Sequence, residues 1–527
     1  MKRISWLPAP AFCLVLSFTS LQALGQTYNP TASNGTTGNT AGGTSALPAG
    51  AGGANTAFGY AALQYNSGSD NTATGAGALA RNSGSDNTAT GFNALNYNTS
   101  GTYNTATGWQ ALLNNTTGAD NTGTGVNALA NNTTGQDNTA HGFNTLISNV
   151  TGINNTAIGS QALYSNGPSS PGAMDDGHDN TASGSRALQF NTTGIQNTAT
   201  GALSLANNNG SSNTATGYGS LNLNNSGAEN TAIGAGALGY NNTGANNTAT
   251  GFNALLNNNG SSNTADGWGA LADNNTGYNN TAEGYTAMQD NSTGAGNTAT
   301  GWGALFHNTD GNQNAAFGKQ ALYNNSSGHN NLALGYLAGS TLTTGSNNIY
   351  VGGNAATGSE SDTIRIGSST QTATFIAGIS GVNVSGATVL VGSNGQLGVM
   401  LSSARYKQDI QPMADSSGPL MRLKPVTFHY KQDPQGDLQY GLIAEDVARV
   451  YPELVIKDET GQVQTIRYQE LTPMLLNEVQ KQAMALKQKD EQIAAQQQQL
   501  AALAVRLDAL EQRVANSGSI KVAVAGR

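Results

Sequence analysis

Asn87-Thr88-Ala89-Thr90-Gly91-Phe92-Asn93-Ala94-Leu95-Asn96-Tyr97-Asn98-Thr99-Ser100-Gly101-Thr102-Tyr103-Asn104 holds one unit of a repeat and the start of the next. The motif Asn-Thr-Ala-x-Gly recurs from Asn55 to Asn348 at a step of about 16–17 residues, with drift in the last few units. Eight residues after nearly every such Asn comes a Leu, as at Leu63, Leu79, Leu95 and on to Leu322. A turn signal such as Asn-Thr-Thr-Gly closes the unit. A unit this short has no room for a pair of helices. It reads as two short extended pieces separated by turns, the coil of a β-solenoid or β-roll. Strand alternation puts Asn, Ala and Gly on one face, with Thr and the variable position on the other. The variable position holds Thr, Phe, Ile, Ser, His141, Asp266 and Glu283, which marks the outward face. Ala57-type and Leu63-type residues then point inward. So thin a core predicts an oligomer, with stacked Asn side chains adding to the ladder.

The chain has 527 residues and a formal net charge of −9. Between residues 50 and 350 the basic residues are Arg81, Arg186 and Lys319, so no basic groove for nucleic acid runs along the repeats. Lys2, Arg3, the apolar run Pro10–Ala23 and the small residues of Ala23-Leu24-Gly25 read as a secretory signal cleaved before Gln26. A short membrane anchor is the alternative. Cys13 lies in that signal, so the mature chain is expected to be secreted or at the cell surface, without cysteine, disulfide or transmembrane segment.

The Asn-Thr-Ala-Ile-Gly wording and the period over 55–352 resemble the head repeats of trimeric autotransporter adhesins. Carbohydrate cleavage needs paired carboxylates, and the acids here are scattered. The Thr-x-Thr pairs Thr72/Thr74, Thr88/Thr90 and Thr105/Thr107 suggest an ice-binding face, but the second Thr is often replaced, which disfavours it. Calcium loops of the Gly-Gly-x-Gly-x-Asp type are absent, and Asn-x-Thr triplets read as turns rather than glycosylation sites. An insertion at 167–179 carries Asp175, Asp176, His178 and Asp179, a solvated loop in preference to a divalent-ion site. No metal and no cofactor is expected.

Beyond Ile349 the repeat dissolves. Thr363–Gly367 and Ala373–Gly378 read as short strands of a neck. Charged residues then become frequent. Ser402-Ser403-Ala404-Arg405-Tyr406-Lys407-Gln408-Asp409-Ile410 is followed by Leu423-Lys424-Pro425-Val426-Thr427-Phe428-His429-Tyr430 and Tyr440-Gly441-Leu442-Ile443-Ala444-Glu445-Asp446-Val447. Tyr451-Pro452-Glu453-Leu454-Val455 and Tyr468-Gln469-Glu470-Leu471-Thr472-Pro473-Met474-Leu475-Leu476 complete the series. In this order the blocks resemble the intramolecular chaperone of phage tail spikes and endosialidases, the peptidase S74 family.

The resemblance implies a domain that trimerises, registers the fibre before it, and cuts itself off with a Ser–Lys dyad. The motif places the dyad at Ser402 and Lys407 and the cut between Leu401 and Ser402. A serine needs a base, and lysine serves once burial favours its neutral form. Ser403 stands where the family often has Asp. Arg405 reads as an exposed ion-pairing residue, His429 as a strand residue, and Glu445 and Asp446 as helix-opening acids. Val479, Leu486, Ile493, Leu500, Leu507 and Val514 then recur every seven residues, a coiled-coil seam.

The expected organisation is mainly β: signal 1–25, linker 26–54, β-solenoid 55–352, neck 353–401, a small α+β chaperone domain 402–478, an α-helical coiled coil 479–514 and a flexible tail 515–527. The expected protein is a homotrimeric fibre, with a cell-surface or glycan ligand for the repeats. A non-cleaving adhesin is the alternative.

Overall fold

The computed structural model describes residues 38–167, 177–353, 356–377, 379, 385–392, 395–458 and 460–518. The expected signal and Cys13 lie outside them, as do Asp175 and Asp176. The chain divides into two compact units, Met1–Phe375 and Ile376–Arg527.

The first unit is a β-solenoid built on one parallel sheet of twenty strands. The first strand is Thr40–Gly42 and the last is Ile364–Ile366, so the ladder reaches beyond 55–352 at both ends. Register is strict: Thr88, Ala89 and Thr90 face Thr105, Ala106 and Thr107 of the next coil. Alternation decides the faces. Ala89 and Ala106 are fully buried, while the threonines flanking each are exposed.

The second expected strand is, in most coils, a tight turn. Leu63 takes φ 51° and Leu95 φ 51°, a left-handed conformation that bulky residues seldom adopt. Each such Leu is fully buried, and its N–H still donates across the coil boundary, Leu63 N to Ala78 O at 2.9 Å. Burial of the side chain and a ladder hydrogen bond offset a backbone cost of roughly 1–2 kcal/mol. The Gly after each strand permits close stacking. Gly59 has φ +134°, and a Cβ there would lie 2.6 Å from Gly75 O.

A row of small residues such as Ala94, just before each Leu, and two buried asparagine ladders fill the rest of the core. Asn87 Oδ1 accepts from Asn104 N at 3.0 Å and from Asn104 Nδ2 at 3.1 Å. The second ladder uses the Asn of the turn signal: Asn115 Nδ2 donates to Asn98 Oδ1 at 2.7 Å. Both ladders converge on a glycine carbonyl, since Asn104 Nδ2 and Asn115 Nδ2 each donate to Gly118 O. Buried amides are thus paired along the axis. The second ladder stops where Leu342 replaces Asn, and Asn325 Oδ1 is the one buried side-chain polar atom without a partner among the described residues. The insertion leaves this arrangement intact: Gly177 O accepts from Asn155 Nδ2 at 2.9 Å and Asn166 Nδ2 at 2.7 Å.

The C-terminal end of the solenoid is sealed by a size exchange. Gly339 stands where earlier coils have Leu, and the fully buried Tyr350 stands where they have Ala. A Cβ on Gly339 would come within 2.9 Å of Tyr350 Cε2. Tyr350 OH donates to Glu360 Oε1 at 2.9 Å, and Arg365 grips the same carboxylate through Nε at 2.9 Å and Nη2 at 2.6 Å. Arg365 holds the Glu360 carboxyl below its usual range, against the opposing pull of burial. Burial, then the hydrogen bond to Glu360, pushes the Tyr350 phenol up.

The second unit begins with a hairpin, Val389–Val391 against Leu397–Val399. The stretch 373–377 forms no strand. A small α+β fold follows, with hairpins Val426–Phe428/Gln439–Gly441 and Val455–Lys457/Val463–Ile466, helix α1 (Ala444–Val450) and helix α2 (Tyr468–Gly518). Its core is Leu420, Val447, Tyr451, Leu454, Val455, Ile466, Leu471 and Met474. No helix among the described residues is long and apolar enough to cross a membrane.

Candidate functional site: the Ser402–Lys407 pair

The chain leaves the hairpin at Val399 and passes through Met400 and Leu401, both exposed. Ser403 then caps one turn of 3-10 helix, Ala404–Tyr406. Tyr406 N donates to Ser403 O at 3.0 Å and Lys407 N to Ala404 O at 3.1 Å. This tight turn folds residue 407 back over residue 402. Lys407 Nζ donates to Ser402 Oγ at 3.2 Å. The two residues singled out in the sequence are therefore brought within proton-transfer reach by five residues of local chain. Leu401, Ser402 and Lys407 are all exposed.

The neighbours play other parts. The Arg405 guanidinium lies 4.7 Å over the Tyr406 ring, a cation–π contact in place of the expected ion pair. Ser403 makes no side-chain cap. His429 directly follows the strand Val426–Phe428 and is exposed. Glu445 and Asp446 occupy the first turn of α1, where the helix dipole favours acids, and Asp446 pairs with Arg449.

Helix α2 is tied down at its start. Buried Ser417 donates to Glu478 Oε1 at 2.6 Å, and Asn477 Nδ2 donates to Ala414 O at 2.9 Å. Glu478 is held low by Ser417 first and Lys481 second, against the effect of burial. Farther along, the heptad residues Val479, Leu486, Ile493, Leu500, Leu507 and Val514 are each at least half exposed in the single chain. The core residues Ile466, Leu471 and Met474 carry the fold past residue 456.

Residues 402–456 match the peptidase S74 family, the chaperone of endosialidase. No curated protein and no solved structure matches the chain. The chain thus carries, after its β-solenoid, a segment similar to the chaperone of endosialidase, and the matched span opens on Ser402 itself.

Other candidate sites sit on the solenoid. His178 Nδ1 lies 2.7 Å from Asp179 Oδ2, and this contact, followed by that of Asn154, holds Asp179 below the usual carboxylate range. No group of three metal-ligating side chains occurs among the described residues. The double threonine row runs from Thr72/Thr74 to Thr122/Thr124 and is broken by Phe58 on one side and His141 on the other. Asp266 and Glu283 lie in register on adjacent exposed strand positions. Beside them runs a row not anticipated from sequence. Phe252, Trp268, Tyr285 and Trp302 stack at 6.0, 4.8 and 6.4 Å, and Lys319 Nζ lies 5.1 Å over the Trp302 ring. Their signal was the residue after each strand-closing Gly, read at the repeat period.

Proposed function

We propose that this chain is a secreted, homotrimeric fibre whose C-terminal domain trimerises, registers the solenoid, and then releases itself by cutting between Leu401 and Ser402. Ser402 supplies the nucleophile and Lys407 the base. The observation that carries this reading is the 3.2 Å contact between Lys407 Nζ and Ser402 Oγ at the first residue of the matched span.

The chemistry is an acyl shift followed by hydrolysis. Neutral Lys407 takes the Ser402 hydroxyl proton as Oγ attacks the Leu401 carbonyl carbon. The Leu401–Ser402 C–N bond breaks, the nitrogen takes up a proton as the new α-amine of Ser402, and an ester links Leu401 to Oγ. Water then cleaves the ester, leaving a Leu401 carboxylate and restoring the hydroxyl. Lysine works as a base only when it gives up its charge, which burial promotes. Both side chains are exposed in a single chain, so cover comes from neighbouring copies. Cutting is thereby coupled to assembly.

The exposed heptad seam of α2 supports self-association, since a long helix with an apolar stripe facing water is stabilised by pairing with its like. Mass spectrometry of the purified chain tests the proposal. A fragment beginning at Ser402, absent from Ser402→Ala and Lys407→Ala, supports it. An uncut, trimeric wild-type chain favours the non-cleaving adhesin instead.

A further inference from the structure

Each solenoid strand shows two residues outward, its first and its third. In the twenty-strand sheet the first is always Thr from Thr40 to Thr298. The third is mostly Thr or another polar residue, with isolated apolar residues at Phe58, Ile158 and Ile233. The pattern changes abruptly in the last four strands, Ala315–Phe317, Leu332–Leu334, Ile349–Val351 and Ile364–Ile366. No outward position there is polar. Leu332, Ile349 and Ile364 form one row in register, and Leu334, Val351 and Ile366 the other. The rows repeat at about 4.8 Å, the spacing of adjacent strands. Leu334 is 51 %, Ile364 66 % and Ile366 74 % exposed in the single chain. The charge at this end does not guard the face. Arg365 alternates to the other side of its strand and is bound to Glu360.

A flat, uncharged aliphatic sheet face left in water is an association site. We infer that this face of the last four coils is where copies of this chain pack against one another, while the threonine-faced coils before them stay solvated. The inference rests on the homotrimer reading above and names the part of the shaft that takes part in it. The occupant is a second copy for two reasons. The exposed seam of α2 already calls for identical chains side by side. The outward strand positions carry no charge and no aromatic beyond Phe317 to select a foreign partner, with Lys319 and Tyr336 lying beside them, and the rows are regular enough to pack on their own equivalent. These four coils are also the ones nearest in sequence to the registering domain. Their mutual packing gives that domain a fixed starting register, from which the remaining coils can stack.

The only cysteine, Cys13, lies in the expected leader, so single-cysteine variants report cleanly. The full chain is used in a Ser402→Ala background that keeps α2 attached. Four variants are treated with a short bismaleimide: Leu334→Cys, Ile366→Cys, Thr90→Cys on the threonine face, and Leu486→Cys on the helix seam. The expected result is a cross-linked dimer band at Leu334→Cys, Ile366→Cys and Leu486→Cys, and only a trace at Thr90→Cys. Cross-linking at Leu486→Cys without any at 334 or 366 overturns this inference and leaves the trimer standing. Cross-linking at none of the four overturns both. Equal cross-linking at 90, 334 and 366 also overturns it, since the contact would then run along the whole shaft.

Discussion

Lys407 Nζ donates to Ser402 Oγ across 3.2 Å while both side chains stay exposed. Position and environment are thus separable. The local turn sets the position, and in the proposed mechanism a neighbouring chain provides the environment. A cut that waits for assembly suits a shaft whose coils each bury little beyond one Leu, two small residues and two asparagines.

The asparagine ladders set a first prediction. Asn132 Nδ2 donates to Asn115 Oδ1 at 2.8 Å and to Gly135 O at 3.0 Å, while its Oδ1 accepts from Asn149 Nδ2 at 2.9 Å. Asn132→Ala strands buried partners on both sides and should cost about 2–4 kcal/mol. Its exposed neighbour, in Asn131→Ala, should change stability by less than about 0.5 kcal/mol. Denaturant midpoints of the two variants compare them directly.

The ladders also show how far the sequence could be read. Alternation placed the Ala57-type residues inside and the threonines outside, because a strand has only two faces. The Leu63-type residues were rightly placed inside but wrongly given an extended backbone. Nothing local marks Leu95 as left-handed, since Gly or Asn usually takes that conformation. Packing against the next coil imposes it. The Asn98-type residues were read as turn formers, their commonest role, yet their recurrence at the repeat period was a usable sign of a core ladder. Ser402 and Lys407 were legible from the motif. The stacking of Arg405 on Tyr406 was not, since it depends on a turn that composition does not specify.

The size exchange at the solenoid end makes a second prediction. Tyr350→Ala opens a cavity and should cost about 3–5 kcal/mol. Gly339→Leu alone collides with the Tyr350 ring. Combining the two restores the Ala/Leu arrangement of the earlier coils, so the double variant should be more stable than the sum of the singles predicts. A double-mutant cycle on chemical denaturation measures the coupling.

Acid should loosen the same end. The Glu360 carboxyl is held below its usual range chiefly by Arg365. A depressed folded value means the stabilisation is fully present above the unfolded carboxyl pKa of about 4.3 and is lost as pH falls through the folded value. Hydrogen exchange of the last coils should therefore speed up more between neutral pH and strongly acidic pH, after correction for intrinsic rates, than in Glu360→Gln. Identical pH dependence in both chains would refute the assignment.

Ser417 should govern the anchoring of α2. It is buried and bonded to Glu478 at 2.6 Å. Ser417→Ala should lower the stability of the second unit by about 1–2 kcal/mol. Ser417→Thr, which keeps the hydroxyl, tests whether the hydrogen bond rather than the cavity volume matters. Thermal unfolding followed by the helical circular dichroism signal reads both.

The central claim is tested most directly by the intact mass and N-terminal sequence of the products of the purified full-length chain. The account predicts a fragment whose first residue is Ser402, formed by the wild type and missing from both Ser402→Ala and Lys407→Ala. A folded, trimeric wild-type chain that stays uncut, or the same fragment appearing in either variant, would contradict it.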